Sequence, residues 1–362
     1  MLLAAALAVA AAPKLELGVV MNIDLTSEAV FKRHFQIAEG WASYVRVSIG
    51  TDQQAWRPEL ERLTYERSRR LAIECRQRGW GMDVTFGGVP VTEEWNVLGK
   101  PARKIVGKRY AEMPRAWWPR WAEFQKRSAK AIVDAYGPDA PKKIRFQTFN
   151  EPYSRGEDDL VDELLVYLIP RVVGRDGTVF GCPLDGPTIW GYYGQTRDQM
   201  ERFATLLANN PKIDRVIRKV PVSMYPTPDE AGLRDPHLMV QQYLELAAKV
   251  VRTGREILGR PVYFAEAGVG RVYDVIPSIY GARTNEVAED ALIASLEGFR
   301  RLGFQHVTVY QSKDHNEWDA KTYGYGLADR FGRLRVDLSR LVRLAKGDTL
   351  GVSGNALADE QR

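Results

Sequence analysis

The sequence predicts an α/β protein with a (β/α)8 barrel, or TIM barrel, built as a single domain with elongated βα loops. Eight short runs rich in β-branched and aromatic residues alternate with amphipathic helical stretches, the order typical of a parallel sheet with crossover helices. A chain of 362 residues is roughly a hundred longer than a typical barrel, and long loops accommodate that excess. The alternative is an open doubly wound sheet, but MNIDLTSE follows the first run where that fold carries a Gly-rich phosphate turn.

Each predicted strand is a run of high β-propensity, and each is followed by a stretch of helical periodicity. The strands cover residues 15–21, 44–49, 80–86, 144–149, 178–183, 220–224, 262–266 and 306–311. The helices cover residues 28–39, 58–78, 117–136, 158–173, 197–208, 236–258, 285–302 and 336–346. Gly79, Gly137, Gly259 and Gly303 stand where four of these helices should stop, the usual place for a residue with positive φ.

The amino-terminal residues 2–12 form an uncharged apolar run, LLAAALAVAAA, that ends in small residues before Pro13. The run is too short to cross a bilayer, and it resembles the apolar core and cleavage region of a signal peptide without a positive leader. We therefore expect a secreted or periplasmic protein in which residues 1–12 are a signal-peptide remnant. The alternatives are a misassigned start codon or a frayed tail on a cytoplasmic protein. The barrel is expected over residues 13–346, followed by a polar tail at 347–362.

Composition narrows the classes of partner. The net charge of +5 is small and spread along the chain, so we expect no nucleic-acid partner, while an anionic substrate stays open. No other segment approaches 18 apolar residues, so no membrane span is expected. Four histidines and two cysteines are too few for most metal sites, and we expect neither a metal nor an organic cofactor. Cys75 and Cys182 are expected to be free buried thiols. No oligomeric state is predicted.

Two glutamates stand at the carboxyl ends of predicted strands, where barrels of this kind carry their reactive groups. Glu151 follows the fourth strand in FQTFNEP, and Glu266 ends the seventh in VYFAEAG. A carboxylate at the end of an apolar strand is costly to bury without a partner. Structural pairing with Arg or Lys is the alternative for either one, but two on opposing strands favour a catalytic pair. The other polar strand-end residues are Asp24, Arg46, Asp83, Asn150, Asp185, Tyr225, Gln311 and Asp314.

This pattern resembles the clan A glycoside hydrolases, retaining enzymes that place an acid/base Glu after the fourth barrel strand and a nucleophile Glu after the seventh. The tripeptide Asn150-Glu151-Pro152 matches their Asn-Glu-Pro motif, and Glu266 lies 115 residues later at the position of the nucleophile. Arg46 in VRVSI matches their second-strand arginine, and Tyr225 in SMYP matches their sixth-strand tyrosine. The resemblance covers nearly the whole predicted barrel.

The resemblance implies a role for each of these residues. Retention needs two carboxyl groups about 5–5.5 Å apart, one protonated and one ionised. Glu151 would be the acid/base, and Glu266 the nucleophile, held charged by Arg46 and oriented by Tyr225. Asn150 would donate to the 2-hydroxyl of the reacting sugar. The alternative for the arginine and the tyrosine is ordinary packing in the barrel.

Two positions depart from the clan pattern. Ser223 stands where many members carry His, two residues before the sixth-strand tyrosine, and Tyr310 and Gln311 stand where a Trp often ends the eighth strand. Both positions border the pocket for the reacting sugar, where we expect Gln311 to contact substrate. The resemblance therefore specifies the reaction type and leaves the sugar unspecified.

Loop aromatics and loop charges supply the remaining candidates. Trp190 and Tyr193 follow the fifth predicted strand and Trp318 follows the eighth, and their flat faces suit sugar rings. The tryptophans of residues 117–121 fall at helical spacing, so we expect them to pack on the barrel. The long third loop carries basic side chains that could meet an anionic polysaccharide, with a solvated loop as the alternative: Lys100, Arg103, Lys104, Lys108 and Arg109.

Together these features predict a secreted retaining β-glycoside hydrolase that cleaves a poly- or oligosaccharide by double displacement with two glutamates, a role in polysaccharide degradation. The predicted partner is a carbohydrate. One alternative is a transglycosylase with the same residues, another is a non-catalytic carbohydrate-binding barrel, and a third is a barrel that uses both glutamates for a different reaction.

Overall fold

The protein is a barrel of parallel strands surrounded by helices, as the sequence predicts. A computed structural model describes residues 14–21, 28–49, 58–87, 113, 115–155, 158–191, 195–226, 235–271, 281–282, 285–313, 326–329 and 331–350. The predicted signal-peptide remnant and most of the long third loop lie outside these residues. No helix in the described part of the chain combines the length and apolarity needed to cross a membrane.

Within the described residues eight strands form the barrel, and each pairs in parallel with the strands beside it except at the junction of the fifth and sixth. They are β1 (Glu16–Val20), β2 (Tyr44–Ser48), β3 (Gly81–Thr85), β4 (Ile144–Gln147), β5 (Leu184–Asp185), β6 (Val220–Met224), β7 (Val262–Ala267) and β8 (His306–Val309). The last strand returns to the first, because β8 pairs with β1. The fifth position is shared, since β5 pairs with β4 and the short strand Ile189–Trp190 pairs with β6. The Arg218 amide donates to the Leu184 carbonyl at 2.9 Å and joins β5 to the approach of β6.

Eight long helices follow the strands, close to the predicted bounds. They are α1 (Glu28–Ala38), α2 (Pro58–Gln77), α3 (Trp118–Tyr136), α4 (Asp158–Val172), α5 (Gln195–Asn209), α6 (Pro236–Leu258), α7 (Asn285–Arg301) and α8 (Leu338–Lys346). Gly79, Gly137, Gly259 and Gly303 all have positive φ, from 61° to 90°, as expected of residues that end helices. Short helices at Ala140–Lys143 and Pro211–Asp214 complete the connections before β4 and β6.

The apolar core lies between the strands and the helices. Trp121 and Phe264 are among its largest fully buried side chains, and Trp118 is also buried, so these helical tryptophans pack on the barrel as predicted. Cys75 and Cys182 are both free and buried, which confirms the prediction for the thiols.

The predicted fifth strand at 178–183 is wrong. The Val179 and Cys182 amides donate to each other's carbonyls at 2.9 and 3.0 Å, which makes a tight turn around Phe180 and Gly181. Both central residues have positive φ, 51° and 87°, the conformation of a two-residue hairpin turn rather than of a strand. The strand begins two residues after the turn, at Leu184.

The first residues of the predicted polar tail, 347–350, contact the rest of the protein. The Arg300 guanidinium on α7 donates to the Asp348 carbonyl at 3.2 Å, and Leu350 is buried. The chain therefore stays attached to the barrel at least to Leu350, and the rest of the predicted tail lies outside the described residues.

The interior of the barrel is polar, unlike the layer between strands and helices. Arg46 on β2 forms an ion pair with Glu266 on β7, so side chains from distant strands meet across the barrel axis. Gly18 on β1 leaves room for this filling, because a Cβ there would lie 2.1 Å from the ring of Tyr44. The barrel interior therefore brings polar side chains of opposite strands into contact.

Candidate active site

The direction of Glu266 depends on an irregularity in β7. Phe264 pairs with Val222 on β6, but the next residue of β6, Ser223, pairs with Glu266, so Ala265 is an extra residue. Side chains alternate between the two faces of a regular strand, and a bulge reverses that alternation. With Phe264 in the outer core, regular alternation would also point Glu266 outward, toward the helices. The bulge returns its carboxylate to the barrel interior.

Two side chains hold the Glu266 carboxylate. Arg46 pairs with its Oε1, and the Tyr225 hydroxyl donates to its Oε2 at 2.6 Å. Glu266 is only 6% exposed, so these two donors replace the water that an exposed carboxylate would bind. Arg46 and Tyr225 therefore each contact one oxygen of Glu266.

The guanidinium of Arg46 organises the site around it. Its Nη2 donates to Asn150 Oδ1 at 2.7 Å and to Thr188 Oγ1 at 3.2 Å, and its Nε donates to Gln147 Oε1 at 3.0 Å. Because the Asn150 carbonyl is taken by Arg46, its amide NH2 points away from the guanidinium. A buried arginine with this set of acceptors has a fixed direction.

Glu151 has an unusual backbone conformation. Its φ of 45° lies in the left-handed region, which residues other than glycine rarely adopt, and it precedes Pro152, which favours extended backbone. Such strain costs about 1–3 kcal/mol and is concentrated at functional sites.

The charge of Glu151 reaches the two residues that hold Glu266. Burial lowers the pKa of Arg46, but Glu266, followed by Tyr263 and Glu151, outweighs burial and raises it. Burial raises the pKa of Tyr225 well above its usual value, and Glu266, followed by Tyr310 and Glu151, adds to that rise. The two glutamates therefore act on one common set of groups at the carboxyl ends of the strands.

The remaining predicted site residues have different outcomes. Trp190 lies beside Ser223 at the end of its short strand and is partly exposed, with its backbone amide and carbonyl tied to α5. Gln311 is 1% exposed, directly after Tyr310, whose ring contacts the Tyr225 ring edge-on at 5.9 Å. Two aromatic candidates, Tyr193 and Trp318, lie outside the described residues, as do the strand-end candidates Asp24 and Asp314.

Sequence reasoning missed Gln147 and Thr188, both fully buried ligands of Arg46. The signal for Gln147 was present, because alternation along IRFQTF places it on the same face as Arg145, directed into the barrel. Thr188 lies between two short strands and carries no comparable signal.

Asp83 and Asp185, two other strand-end candidates, serve a separate cluster deeper in the barrel. Arg145 Nε lies 3.1 Å from Asp83 Oδ1 and 3.6 Å from Asp185 Oδ2, and His306 Nε2 lies 2.8 Å from Asp83 Oδ2. Burial raises the pKa of Asp83, but Arg145 and His306 reverse that effect and bring it to about 2. Burial raises the pKa of Asp185 to about 6 because Arg145 lies farther from it and Asp83 repels its charge.

The raised pKa of Asp185 predicts a pH-dependent stability. An unfolded Asp has a pKa of about 3.9, so between about pH 4 and 6 the folded state binds more protons and stability falls as pH rises. Asp185→Asn removes this titration. We expect the wild-type minus variant unfolding free energy to fall by about 2 kcal/mol between pH 4 and 7, measured by urea denaturation. Asp83 stays ionised over this range, and parallel curves for the two proteins would contradict the prediction.

The contact between Tyr225 and Glu266 predicts a kinetic effect if the site is catalytic. Tyr225→Phe keeps the ring and removes one donor to the carboxylate, so we expect kcat to fall roughly 100-fold with little change in KM. Tyr243→Phe is the matched control, because its buried hydroxyl donates to the Met224 carbonyl outside the barrel interior. Equal kcat values for both variants on the same substrate would contradict the role given to Tyr225.

Comparison with solved structures finds similar barrels in glycoside hydrolases. One of two fungal β-1,4-galactanases matches with a TM-score of 0.59 and 10% identity, over 92% of this chain and 99% of that one. A GH5_18 protein from Bifidobacterium longum subsp. infantis matches with a TM-score of 0.58 and 13% identity, over 92% of this chain and 79% of that one. The GH2 β-galacturonidase of Eisenbergiella tayi matches with a TM-score of 0.51 and 12% identity, over 93% of this chain but 51% of that one.

These identities are low, so the similarity shows the fold. The shared fold is a (β/α)8 barrel, which is also the fold of the clan that the sequence resembles. No protein-family profile and no curated protein matches the sequence.

Proposed function

We propose that the protein is a retaining β-glycoside hydrolase with Glu266 as nucleophile and Glu151 as acid/base. One observation carries the proposal: Arg46 and Tyr225 hold both oxygens of Glu266, and Arg46 also binds Asn150, the residue directly before Glu151. Two carboxyl groups with unequal surroundings at one barrel end are what double displacement needs.

The first displacement forms a glycosyl-enzyme. An oxygen of the Glu266 carboxylate attacks the anomeric carbon while the bond to the leaving oxygen breaks, and the Glu151 carboxyl gives its proton to that oxygen. Tyr225 and Arg46 hold the attacking carboxylate in one orientation, so little rotational freedom is lost in the transition state.

The second displacement releases the sugar. The Glu151 carboxylate takes a proton from water, the water oxygen bonds to the anomeric carbon, and the bond to Glu266 breaks. Two inversions restore the original anomeric configuration. A sugar hydroxyl in place of water gives transglycosylation through the same residues.

Substrate contacts are proposed from position. The Asn150 amide NH2, directed away from Arg46, suits the 2-hydroxyl of the reacting sugar. Trp190 lies partly exposed on the same side as Ser223 and suits a sugar face. We keep Gln311, Tyr193 and Trp318 as further proposed contacts. The proposed site of action is outside the cytoplasm, on a poly- or oligosaccharide.

A substrate panel tests the function. The panel contains aryl β-glycosides, β-1,4-galactan, β-1,4-mannosides and β-uronides. Galactan and the uronides are included because the barrels of similar fold include a galactanase and a galacturonidase. Proton NMR then records which anomer forms first. The β-anomer as first product supports retention, and the α-anomer contradicts it. Products at high acceptor concentration separate hydrolysis from transfer, and binding without any turnover would favour the non-catalytic barrel.

A further inference from the structure

We propose that Gln147 is a positioning residue that sets the direction of Arg46 and, through it, of Glu266. The proposal rests on the function proposed for Glu266. Gln147 is fully buried on β4, and its contact with Arg46 is with Nε rather than with the nitrogens that meet the carboxylate and Asn150. It therefore contacts the guanidinium at the nitrogen that neither the carboxylate nor Asn150 uses.

The orientation of the Gln147 amide is determined by its neighbours. Its Oε1 accepts from Arg46 Nε and from Thr85 Oγ1, both at 3.0 Å, and its Nε2 donates to Tyr263 Oη at 2.8 Å. A flipped amide would turn its NH2 group toward Arg46 Nε, which can only donate. The Tyr263 hydroxyl gives its own hydrogen to Asp185 Oδ2 at 3.0 Å, so its oxygen remains the acceptor.

These bonds form one directed chain through the barrel. Arg46 donates to Gln147, which donates to Tyr263, which donates to Asp185. The direction is the same at every step, and reversing one bond would leave a buried donor facing a donor. The chain ends on a carboxylate that belongs to the deeper cluster.

A second carboxylate, that of Asp83, could compete with Glu266 for Arg46. Asp83 is its register partner on β3, and the charge of Arg46 helps to lower the Asp83 pKa. Asp83 is instead paired with Arg145 and His306. Gln147 gives Arg46 a neutral acceptor between the two carboxylate clusters. The guanidinium thereby keeps its two terminal nitrogens for the site.

Two substitutions test this role against a matched control. Gln147→Glu keeps the size and adds a carboxylate that competes with Glu266 for Arg46. We expect kcat to fall about 100-fold and the acid limb of kcat/KM to move up by about one pH unit, because added negative charge raises the pKa of the nucleophile. Gln147→Met keeps the volume without hydrogen bonds and should lower kcat at least about tenfold with KM little changed. Thr148→Val is the control, a buried neighbour on the same chain segment.

Every variant keeps the charged groups around Gln147: Arg46, which Gln147 contacts; Glu266 and Glu151, whose charges act on Arg46; and Asp185, Arg145, Asp83 and His306 in the deeper cluster that Tyr263 joins. A Gln147→Glu enzyme with the wild-type acid limb, or a Gln147→Met enzyme with the kcat of the Thr148→Val control, would overturn the proposal. If Gln147→Glu does not fold, the kcat of Gln147→Met relative to the Thr148→Val control tests the proposal.

A second readout separates this inference from the proposed function. The pKa of Glu266 can be followed by carbon NMR of the labelled carboxyl, assigned by its loss in Glu266→Gln, without any substrate. If wild-type protein cleaves nothing but Gln147→Glu raises that pKa, the glycosidase proposal fails and the positioning role stands. If hydrolysis is normal and the pKa does not move, the positioning role fails.

Discussion

Glu266→Gln is expected to lower kcat roughly 10⁵-fold on every substrate that the wild-type protein cleaves. The amide has nearly the same shape but cannot form the covalent bond to the anomeric carbon. Its carbonyl can still accept from Tyr225 or Arg46, so we expect the protein to fold. The measurement is steady-state kinetics on an aryl glycoside beside a thermal unfolding curve.

Glu297→Gln is the matched control for this substitution. Glu297 is also a buried glutamate, 5% exposed on α7, and its Oε1 accepts from the Leu350 amide rather than facing the barrel interior. We expect wild-type kcat from it. Turnover by Glu266→Gln comparable to this control would contradict the nucleophile assignment.

Glu151→Ala is expected to separate substrates by their leaving groups. A sugar leaving group needs a proton, so its hydrolysis should fall about 10³- to 10⁴-fold, whereas an activated aryl glycoside should form the glycosyl-enzyme at a much less reduced rate. Hydrolysis of that glycosyl-enzyme then lacks a general base to activate water. Azide, which needs no base, should restore turnover and give a β-glycosyl azide.

Alanine has the same backbone limits as glutamate, so the positive φ at this position is retained and the effect belongs to the carboxyl group. Glu163→Ala on the exposed surface of α4 serves as the control. An equal loss on activated and unactivated substrates, or no product with azide, would show that Glu151 is not the acid/base.

The sequence predicts most of the fold because strands and helices differ in the period of their apolar residues. Seven of the eight predicted strands overlap observed ones, and the exception shows the limit. TVFGCP has the composition of a strand, but Phe180 and Gly181 turn the chain through positive φ, and propensity contains no information on that.

Part of the site could be predicted from the rule that reactive groups lie at the carboxyl ends of barrel strands. That rule selects Glu151 and Glu266, but it selects Asp83 and Asp185 equally, and these two belong to an ion cluster deeper in the barrel. Depth along the axis depends on the register between strands, which one sequence does not show. Gln147 was not selected, because a neutral side chain does not by its residue type predict a contact with Arg46.

The extra residue in β7 lets one strand bury an aromatic ring and a carboxylate, two residues apart, on opposite sides. A regular strand of the same sequence would place Glu266 on the side of Phe264, in the apolar layer beside Phe299 and Phe304, which pack on Phe264. Any change that let Ala265 pair in regular register would therefore separate Glu266 from Arg46 and Tyr225 without altering a single charge. The proposed nucleophile owes its direction to a local break in the regularity of its strand.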